Sequence, residues 1–373
     1  MMSRIFSTVL IIFLIFFIFI SIILSTVGIE TDRFNYLITQ KINQSNNFVN
    51  INLNKINYKF DIKEIKLFLE TEKPEIYYRK VLIPAEDLKV YIDFSSLLKS
   101  KPIIEKINLS FDQINIDELK ELSSSFKPSN LTSIINNKLS KGKINFEIEI
   151  YLKGNNLFDN FIAKGEVIDL EAQVLEDLYL KNTNFNFFAD KSDVLIKKIF
   201  GETGPFTISD GDLKINFNSQ ITISSNFDTS IKYTKKTHNL KTLQKKFKFL
   251  NTVPILEAKA KNEFSISLDK TYKLDNYLFK SNGKIFVSEI EFQNPLKNDL
   301  LKSEINNLYL KNINFITNID PKKSNAKVEG EYSTNNKNFL KFDFNNVFKN
   351  EIHSAIFKFD YDKDLELNLI NYE

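Results

Sequence analysis

From Val49 onward, segment after segment places apolar side chains at every second position, a two-residue period that belongs to strands burying one face only. The cleanest segment is Ile144, Phe146, Ile148, Ile150 and Leu152, interleaved with Asn145, Glu147, Glu149 and Tyr151. Leu88, Val90, Ile92 and Phe94 alternate with Lys89, Tyr91 and Asp93, and Ile107, Leu109 and Phe111 with Asn108 and Ser110. The pattern returns at Leu213, Ile215 and Phe217, at Phe264, Ile266 and Leu268, at Phe357, Phe359 and Tyr361, and at Leu365, Leu367 and Leu369. One apolar and one polar face per strand is the habit of antiparallel sheets. The expected fold is therefore mainly β, an antiparallel-rich sheet with a few short helices. Helical spacing is read at Asp117 to Leu139, with a break at Pro128, at Ser192 to Phe200, and at Asn239 to Leu250.

The amino-terminal part is of another kind. Ile5 to Ile29 carries no charge over 25 residues, which as a helix spans about 37 Å against a hydrocarbon core of about 30 Å. Residues 1–30 are expected to form a transmembrane anchor, with Ile5, Leu14, Phe19 and Ile29 along it. The run exceeds the apolar stretch of a cleaved signal peptide, although Ser21, Ser25 and Gly28 would permit cleavage. Arg4 precedes it and Glu30 and Asp32 follow, so the amino terminus is expected inside and the bulk of the chain outside the cytoplasm. Residues 31–46, with Phe34, Leu37, Ile38, Lys41 and Ile42 at helical spacing behind a cap at Thr31 or Asp32, read as a juxtamembrane helix. Residues 47–373 form the exported β domain, with sub-units at 47–160 and 161–373.

Composition narrows the function classes. The 50 basic and 47 acidic residues nearly cancel, so no field draws the chain to nucleic acid. Without Cys there is no disulfide, thiolate metal site or cysteine nucleophile. The two histidines, His238 and His353, have no paired spacing, and there is no P-loop, GxGxxG or GxSxG motif. Asp210, Gly211 and Asp212 resemble a calcium loop but lack its later Glu, and read as a hairpin turn. No catalytic group, metal site or cofactor is expected.

Two further features stand out. Leu178 to Phe185 (LYLKNTNF) and Leu308 to Phe315 (LYLKNINF) share seven of eight residues, each copy following a segment with a glycine, Gly165 or Gly283. They suggest a repeated β unit. The lysines Lys232, Lys235, Lys236, Lys241, Lys245, Lys246 and Lys248 lie beside Leu240, Leu243, Phe247 and Leu250 and read as a basic amphipathic helix. Lys235, Lys236, Lys245 and Lys246 are candidates for contact with anionic head groups, the alternative being the solvated face of a docked helix.

A one-sided sheet must cover its apolar face with a second sheet, a helix or a ligand. Two readings stay open: a self-packed β-sandwich that serves as a scaffold for a protein partner, and a groove filled by acyl chains. GIETDRFN after the apolar run (Gly28 to Asn35), LKVYIDFSSLL (Leu88 to Leu98) and KPIIEKINLSFDQINI (Lys101 to Ile116, with Pro102, Ile104, Ile107 and Leu109 in a P-x-I-x-x-I-x-L pattern) resemble the AsmA-like family of envelope proteins. The resemblance covers residues 1 to about 120 and, more weakly, the rest of the chain. It implies an elongated, curved sheet with a groove, anchored in the inner membrane of a Gram-negative cell with the bulk periplasmic, and a part in phospholipid transport or envelope homeostasis. The partners implied are phospholipid acyl chains, the inner membrane and an envelope protein. Leu88, Val90, Ile92, Phe94, Ile107, Leu109, Phe111, Ile144, Phe146, Ile148 and Ile150 would then line the groove, or else pack a core.

Overall fold

The computed structural model describes residues 2–31, 35, 36, 39, 49–53, 55–93, 96, 103–153, 157–218, 220–236, 241–269, 273–296, 304–349 and 352–360. The chain is mainly β and antiparallel, with few helices, and forms two compact units. One comprises Met1–Asn137, Lys143–Glu166 and Phe188–Lys191; the other comprises Lys138–Gly142, Val167–Phe187 and Ser192–Glu373.

The first unit opens with helix α1 (Met2–Thr26), 25 residues long. The expected run to Ile29 is corrected: the amides of Val27 and Gly28 both donate to the Ile23 carbonyl, and Gly28 turns at φ +76°, the left-handed stop that favours glycine. Ile29 therefore opens strand β1 (Ile29–Thr31), which pairs with β3 (Ile56–Asp61). Side chains of α1 are described from Leu10 to Thr26, 17 residues or about 26 Å of helix. Among the described residues no helix is long and apolar enough to cross a membrane. Of the expected juxtamembrane helix, Thr31 is in β1, while Asn35, Tyr36 and Thr39 are helical. Asp32, Phe34, Leu37, Ile38, Lys41 and Ile42 lie outside the described residues.

The main sheet of this unit runs β1, β3, β4 (Lys66–Glu72), β7 (Asp87–Ile92), β8 (Ile104–Asn115) and β9 (Leu139–Lys153), every pair antiparallel. A small sheet joins β2 (Val49–Asn52), β5 (Glu75–Tyr78) and β6 (Val81–Ile83). After β8 come α2 (Ile116–Ser125) and α3 (Asn130–Lys138), separated around Pro128 as the sequence suggests. Asn115 starts α2 with a capping box, its side chain accepting from the amides of Asp117 and Glu118 while the Glu118 carboxylate accepts from the Asn115 amide. Strands β10 (Leu157–Leu175) and β11 (Leu178–Asp190) follow.

The second unit contains a meander in which each strand pairs with the next: β12 (Asp193–Thr203), β13 (Phe206–Asn216), β14 (Ile221–Thr234), β15 (Ile255–Leu268), β16 (Leu274–Leu296), β17 (Ile305–Ile319), β18 (Lys323–Ser333), β19 (Leu340–Lys349) and β20 (Ile352–Phe359). Between β14 and β15 sit a short helix α4 (Lys241–Lys246) and a 3₁₀ turn (Lys248–Thr252). The helical reading of Asn239 to Leu250 thus holds in part, with residues 239 and 240 outside the described set. That of Ser192 to Phe200 does not, because this segment is β12. Lys198 there adopts φ +55° and makes a bulge, its amide donating to Asp212 Oδ1. The bulge puts Ile196, paired with Leu213, and Ile199, which faces Gly211, on one side of the strand, and so produces the three-residue spacing of a helix.

The expected turn at Asp210 to Asp212 is also corrected. It lies inside β13, next to a register shift between Ile208 and Asp210, and Gly211 is a glycine because the Phe227 ring lies where its Cβ would be. The two LYLKN copies lie in β11 and β17 and share a left-handed asparagine, Asn182 at φ +48° and Asn312 at φ +51°. Their kinship extends to a clamp that occurs three times. Asn145 Nδ2 donates to Glu166 at 3.0 Å, Asn182 to Glu202 at 3.1 Å, and Asn312 to Glu331 at 3.5 Å. The glycine before each glutamate (Gly165, Gly201, Gly330) lies over the residue after each asparagine (Phe146, Thr183, Ile313).

Candidate functional site

The residues expected to line a groove come together in the first unit, where they pack. Leu88, Val90, Ile92 and Phe111 are buried together with Ile51, Ile56, Leu69, Ile76 and Ile114, and Ile107, Leu109, Ile144, Phe146 and Ile148 pack against them. Register explains the assembly: Leu88 lies opposite Leu109, which lies opposite Ile148, and Val90 opposite Ile107, which lies opposite Ile150. The Phe111 and Phe146 rings stack with centroids 4.3 Å apart. Ile51, Ile76 and Ile83 of the small sheet and Leu119 of α2 complete this cluster. Phe94 lies outside the described residues.

The other face of the same strands carries charge. Glu70 pairs with Lys59 and Lys89, Lys89 also with Asp87, and Lys106 with Glu64. The Lys106 ammonium stands 4.0 Å from the Tyr91 ring centroid, and the Tyr91 hydroxyl donates to Asp61 Oδ2 at 2.9 Å. Burial, then the Asp61 carboxylate, push the Tyr91 phenol well above its ordinary range. Asp61 is lowered: burial raises it, but hydrogen bonds from the amides of Glu64 and Lys63 and from Tyr91, with the Lys106 charge, outweigh that. Glu147 is lowered likewise, its burial outweighed by Asn108 and Lys164. Lys59, Glu70 and Lys89 link the neighbouring strands β3, β4 and β7.

An open apolar site lies elsewhere, on β16 to β20 of the second unit. A cleft of about 500 Å³ is lined by residues that include Ile285, Leu310, Ile313, Val328, Phe344 and Phe357. Strand pairing builds it row by row: Ile285 is opposite Ile313, Leu310 opposite Tyr332, Val328 opposite Phe344, Phe344 opposite Phe357, and Phe342 opposite Phe359. The aromatic rings form a cluster, Phe357 to Phe359 at 5.3 Å, Phe342 to Phe357 at 6.0 Å, and Tyr332 to Phe342 at 6.3 Å. The Tyr332 hydroxyl donates to the Asp360 carbonyl at 2.6 Å, which leaves an apolar ring face towards the cleft. Phe357 remains 56% and Phe359 51% exposed, so the unit leaves part of this surface uncovered. On the opposite face the same strands carry Glu329, Glu331, Lys341, Asp343 and Lys358.

Apart from Ile150, the candidate groove residues that are described fall in a packed cluster, the core alternative left open by the sequence, and the open cleft lies on other strands. The available signal was Phe342 and Phe344 facing Phe357 and Phe359, four phenylalanines in two alternating segments, together with the second LYLKN copy. What alternation could not supply was which apolar face had a cover.

Of the lysines expected on a basic helix, Lys232 is in β14, where it approaches Glu257 at 3.8 Å, and Lys235 and Lys236 follow that strand in a turn. Lys235 Nζ donates to the Asn251 carbonyl at 3.0 Å. Lys241, Lys245 and Lys246 belong to α4, and Lys241 and Lys245 are exposed. The basic segment is thus a strand end, a turn and a short helix rather than one helix. His353 Nε2 meets Asn346 Oδ1 across β19 and β20, and His238 lies outside the described residues. Among the described residues no three His, Asp or Glu side chains converge to hold a metal ion.

Comparison with known proteins leaves this geometry to stand alone: no family model, no curated protein and no solved structure matches the chain.

Proposed function

We propose that the chain is a membrane-anchored envelope protein that binds phospholipid acyl chains in the cleft of β16 to β20 and takes part in lipid movement or envelope homeostasis. The observation that carries this reading is the cleft itself, a space of about 500 Å³ lined almost wholly by aliphatic and aromatic side chains and left partly open. Its size falls within the range of small-ligand sites, roughly 300 to 1,000 Å³. Apart from Thr334 and Tyr332, whose hydroxyl is bonded to the Asp360 carbonyl, the lining side chains are apolar, and an acyl chain gains about 0.8 kcal/mol for each methylene taken out of water. A 16-carbon chain left in water costs about 12 kcal/mol, so a protein that shelters it removes the main barrier to its transfer without chemistry. The elongated, curved groove and the inner-membrane, periplasm-facing location follow from the resemblance to AsmA-like proteins and belong to the same proposal.

The anchor is part of the proposal as well. Ile5 to Ile29 is free of charge, and Leu10 to Phe19 are 49% to 66% exposed along α1. Such a surface is stable in lipid and not in water. An intact chain should resist alkaline extraction from membranes, and release of the intact chain by that treatment would refute the anchor.

A second reading, a self-packed scaffold that binds a protein partner, is favoured by one observation, the closed core around Leu88, Val90 and Phe111. The two readings divide between the units: the core serves stability in the first, the cleft serves lipid in the second. The test is to purify the full chain in mild detergent, extract bound phospholipid, and compare it with Phe357→Glu and with the opposite-face control Lys327→Glu. Wild type and the control should carry more phospholipid than Phe357→Glu. Equal lipid in all three would leave only the scaffold.

A further inference from the structure

The segment between β14 and β15 concentrates basic residues. Residues 231–252 contain seven lysines and no Asp or Glu. Leu243 packs against the buried pair Leu178 and Tyr233, and Gln244 Nε2 donates to the Tyr233 hydroxyl at 3.2 Å. The Thr242 amide donates to Asp177 Oδ2 at 3.0 Å, and buried Val253 closes the segment on its far side. Asp177, held low first by the hydrogen bonds from Thr242, is the carboxylate that meets α4, and Lys245 lies near it. These contacts fix the inner side of the segment. Its outer side presents Lys241, Lys245 and Lys248 around a recess of about 720 Å³, with Phe249 at the rim. Phe247 and Phe249 are 50% and 64% exposed, and their rings meet edge to face at 6.3 Å.

We propose that Lys241–Thr252 is a contact for an anionic phospholipid surface, with Phe247 and Phe249 entering the acyl boundary and Lys241, Lys245 and Lys248 facing the phosphates. Charge selects the occupant, since a cluster of lysines with no acidic residue in its own segment complements a negative surface and repels a basic one. The two aromatics select a bilayer rather than a free anion. A soluble phosphate would satisfy the ammonium groups and leave both rings in water, whereas a membrane interface accepts the charges and the rings together. A short helix locked by Leu243 and Gln244 presents these groups with little ordering cost. The inference is independent of the cleft on β16 to β20, and either stands if the other fails.

The chain has no Trp, so Phe249→Trp supplies a single fluorophore at the site. The full chain with this substitution, in phosphatidylcholine liposomes, is mixed with vesicles containing brominated phosphatidylcholine, with or without phosphatidylglycerol. In a second arm the brominated lipid and phosphatidylglycerol are placed in the host bilayer. The expected result is a blue shift and quenching of the introduced indole that require phosphatidylglycerol, in whichever bilayer the segment reaches. Adding Lys241→Glu, Lys245→Glu and Lys248→Glu should raise the concentration of phosphatidylglycerol vesicles needed by at least roughly a hundredfold. The corresponding three Gln substitutions should fall between, at unchanged circular dichroism. Emission that ignores phosphatidylglycerol in both arms, quenching equal in pure phosphatidylcholine, or lysine variants that behave like the parent would each overturn the proposal.

Discussion

Replacing the clamp glycines by alanine tests whether the repeated Asn and Gly-Glu device holds neighbouring strands together. At Gly165 an added Cβ falls 2.7 Å from Phe146 Cβ and 2.9 Å from Phe146 Cα, and closer still to the Asn145 carbonyl oxygen. Carbon atoms pack at about 3.5 to 4.0 Å, so backbone must move by most of an ångström. At Gly330 the Cβ meets Ile313 Cγ1 at 2.7 Å and Cα at 2.8 Å, and Ile313 is 2% exposed. At Gly201 the only close neighbour is the Thr183 hydroxyl, at 2.7 Å, with the next atoms at 3.4 Å. Overpacking costs about 1 to 3 kcal/mol, while alanine returns about 0.4 to 1 kcal/mol by restricting the unfolded chain. The expected net losses are about 2 kcal/mol for Gly165→Ala, about 1 to 2 for Gly330→Ala, and near zero for Gly201→Ala. The two units need not unfold together, so the assay is hydrogen exchange resolved by peptide, over β9 and β10 for the first and β17 and β18 for the second. A loss of about 2 kcal/mol speeds exchange of the strongest-protected amides about 30-fold. Equal effects at the three positions, or the largest at Gly201, would refute the steric account.

Two further outcomes follow from the first unit. Phe111→Ala removes one ring of the stacked pair inside the core and should cost about 3 to 5 kcal/mol, measured by urea unfolding of the full chain; a loss below about 1 kcal/mol would mean the cluster is not a core. The lowered carboxyls of Asp61 and Glu147 contribute stability that is present above their ordinary values of 3.8 and 4.5 and is lost as pH falls through their folded values. Asp87, raised chiefly by burial, acts in the opposite sense, and the raised Tyr91 adds stability that is lost as pH climbs past 10.0. Tyr91→Phe removes the hydroxyl on Asp61, so its penalty should be greatest near neutral pH and shrink below pH 3.8; a penalty constant down to about pH 2 would contradict the linkage.

The sequence made the β class, the one-sided strands and the break between α2 and α3 legible, because each is a local property: a period, or a proline. It misread three segments where a local rule met a tertiary one. Lys198 bulges β12 and gives its apolar residues a helical spacing. Gly211, read as a turn, is a gap left for the Phe227 ring. The apolar run continues past Thr26, but Gly28 ends the helix and sends Ile29 into a sheet. For the site, alternation identified faces but not their covers. The face at Leu88 and Leu109 is closed by β2, β5 and β6, whose short irregular sequences carry no strong period, and by α2, whose spacing shows a helix but not what it covers. Among the described residues the face at Phe344 and Phe357 stays partly exposed at Phe357, and only register across β17 to β20 reveals it.

Crosslinking from within the cleft shows whether an acyl chain occupies it. Benzoylphenylalanine in place of Phe357, in the full chain in native membranes, should on irradiation give a mass increase equal to a phospholipid. The same probe at Lys327, on the charged face, should give none. Adducts to protein alone at position 357, or lipid adducts equally strong at 327, would contradict the account.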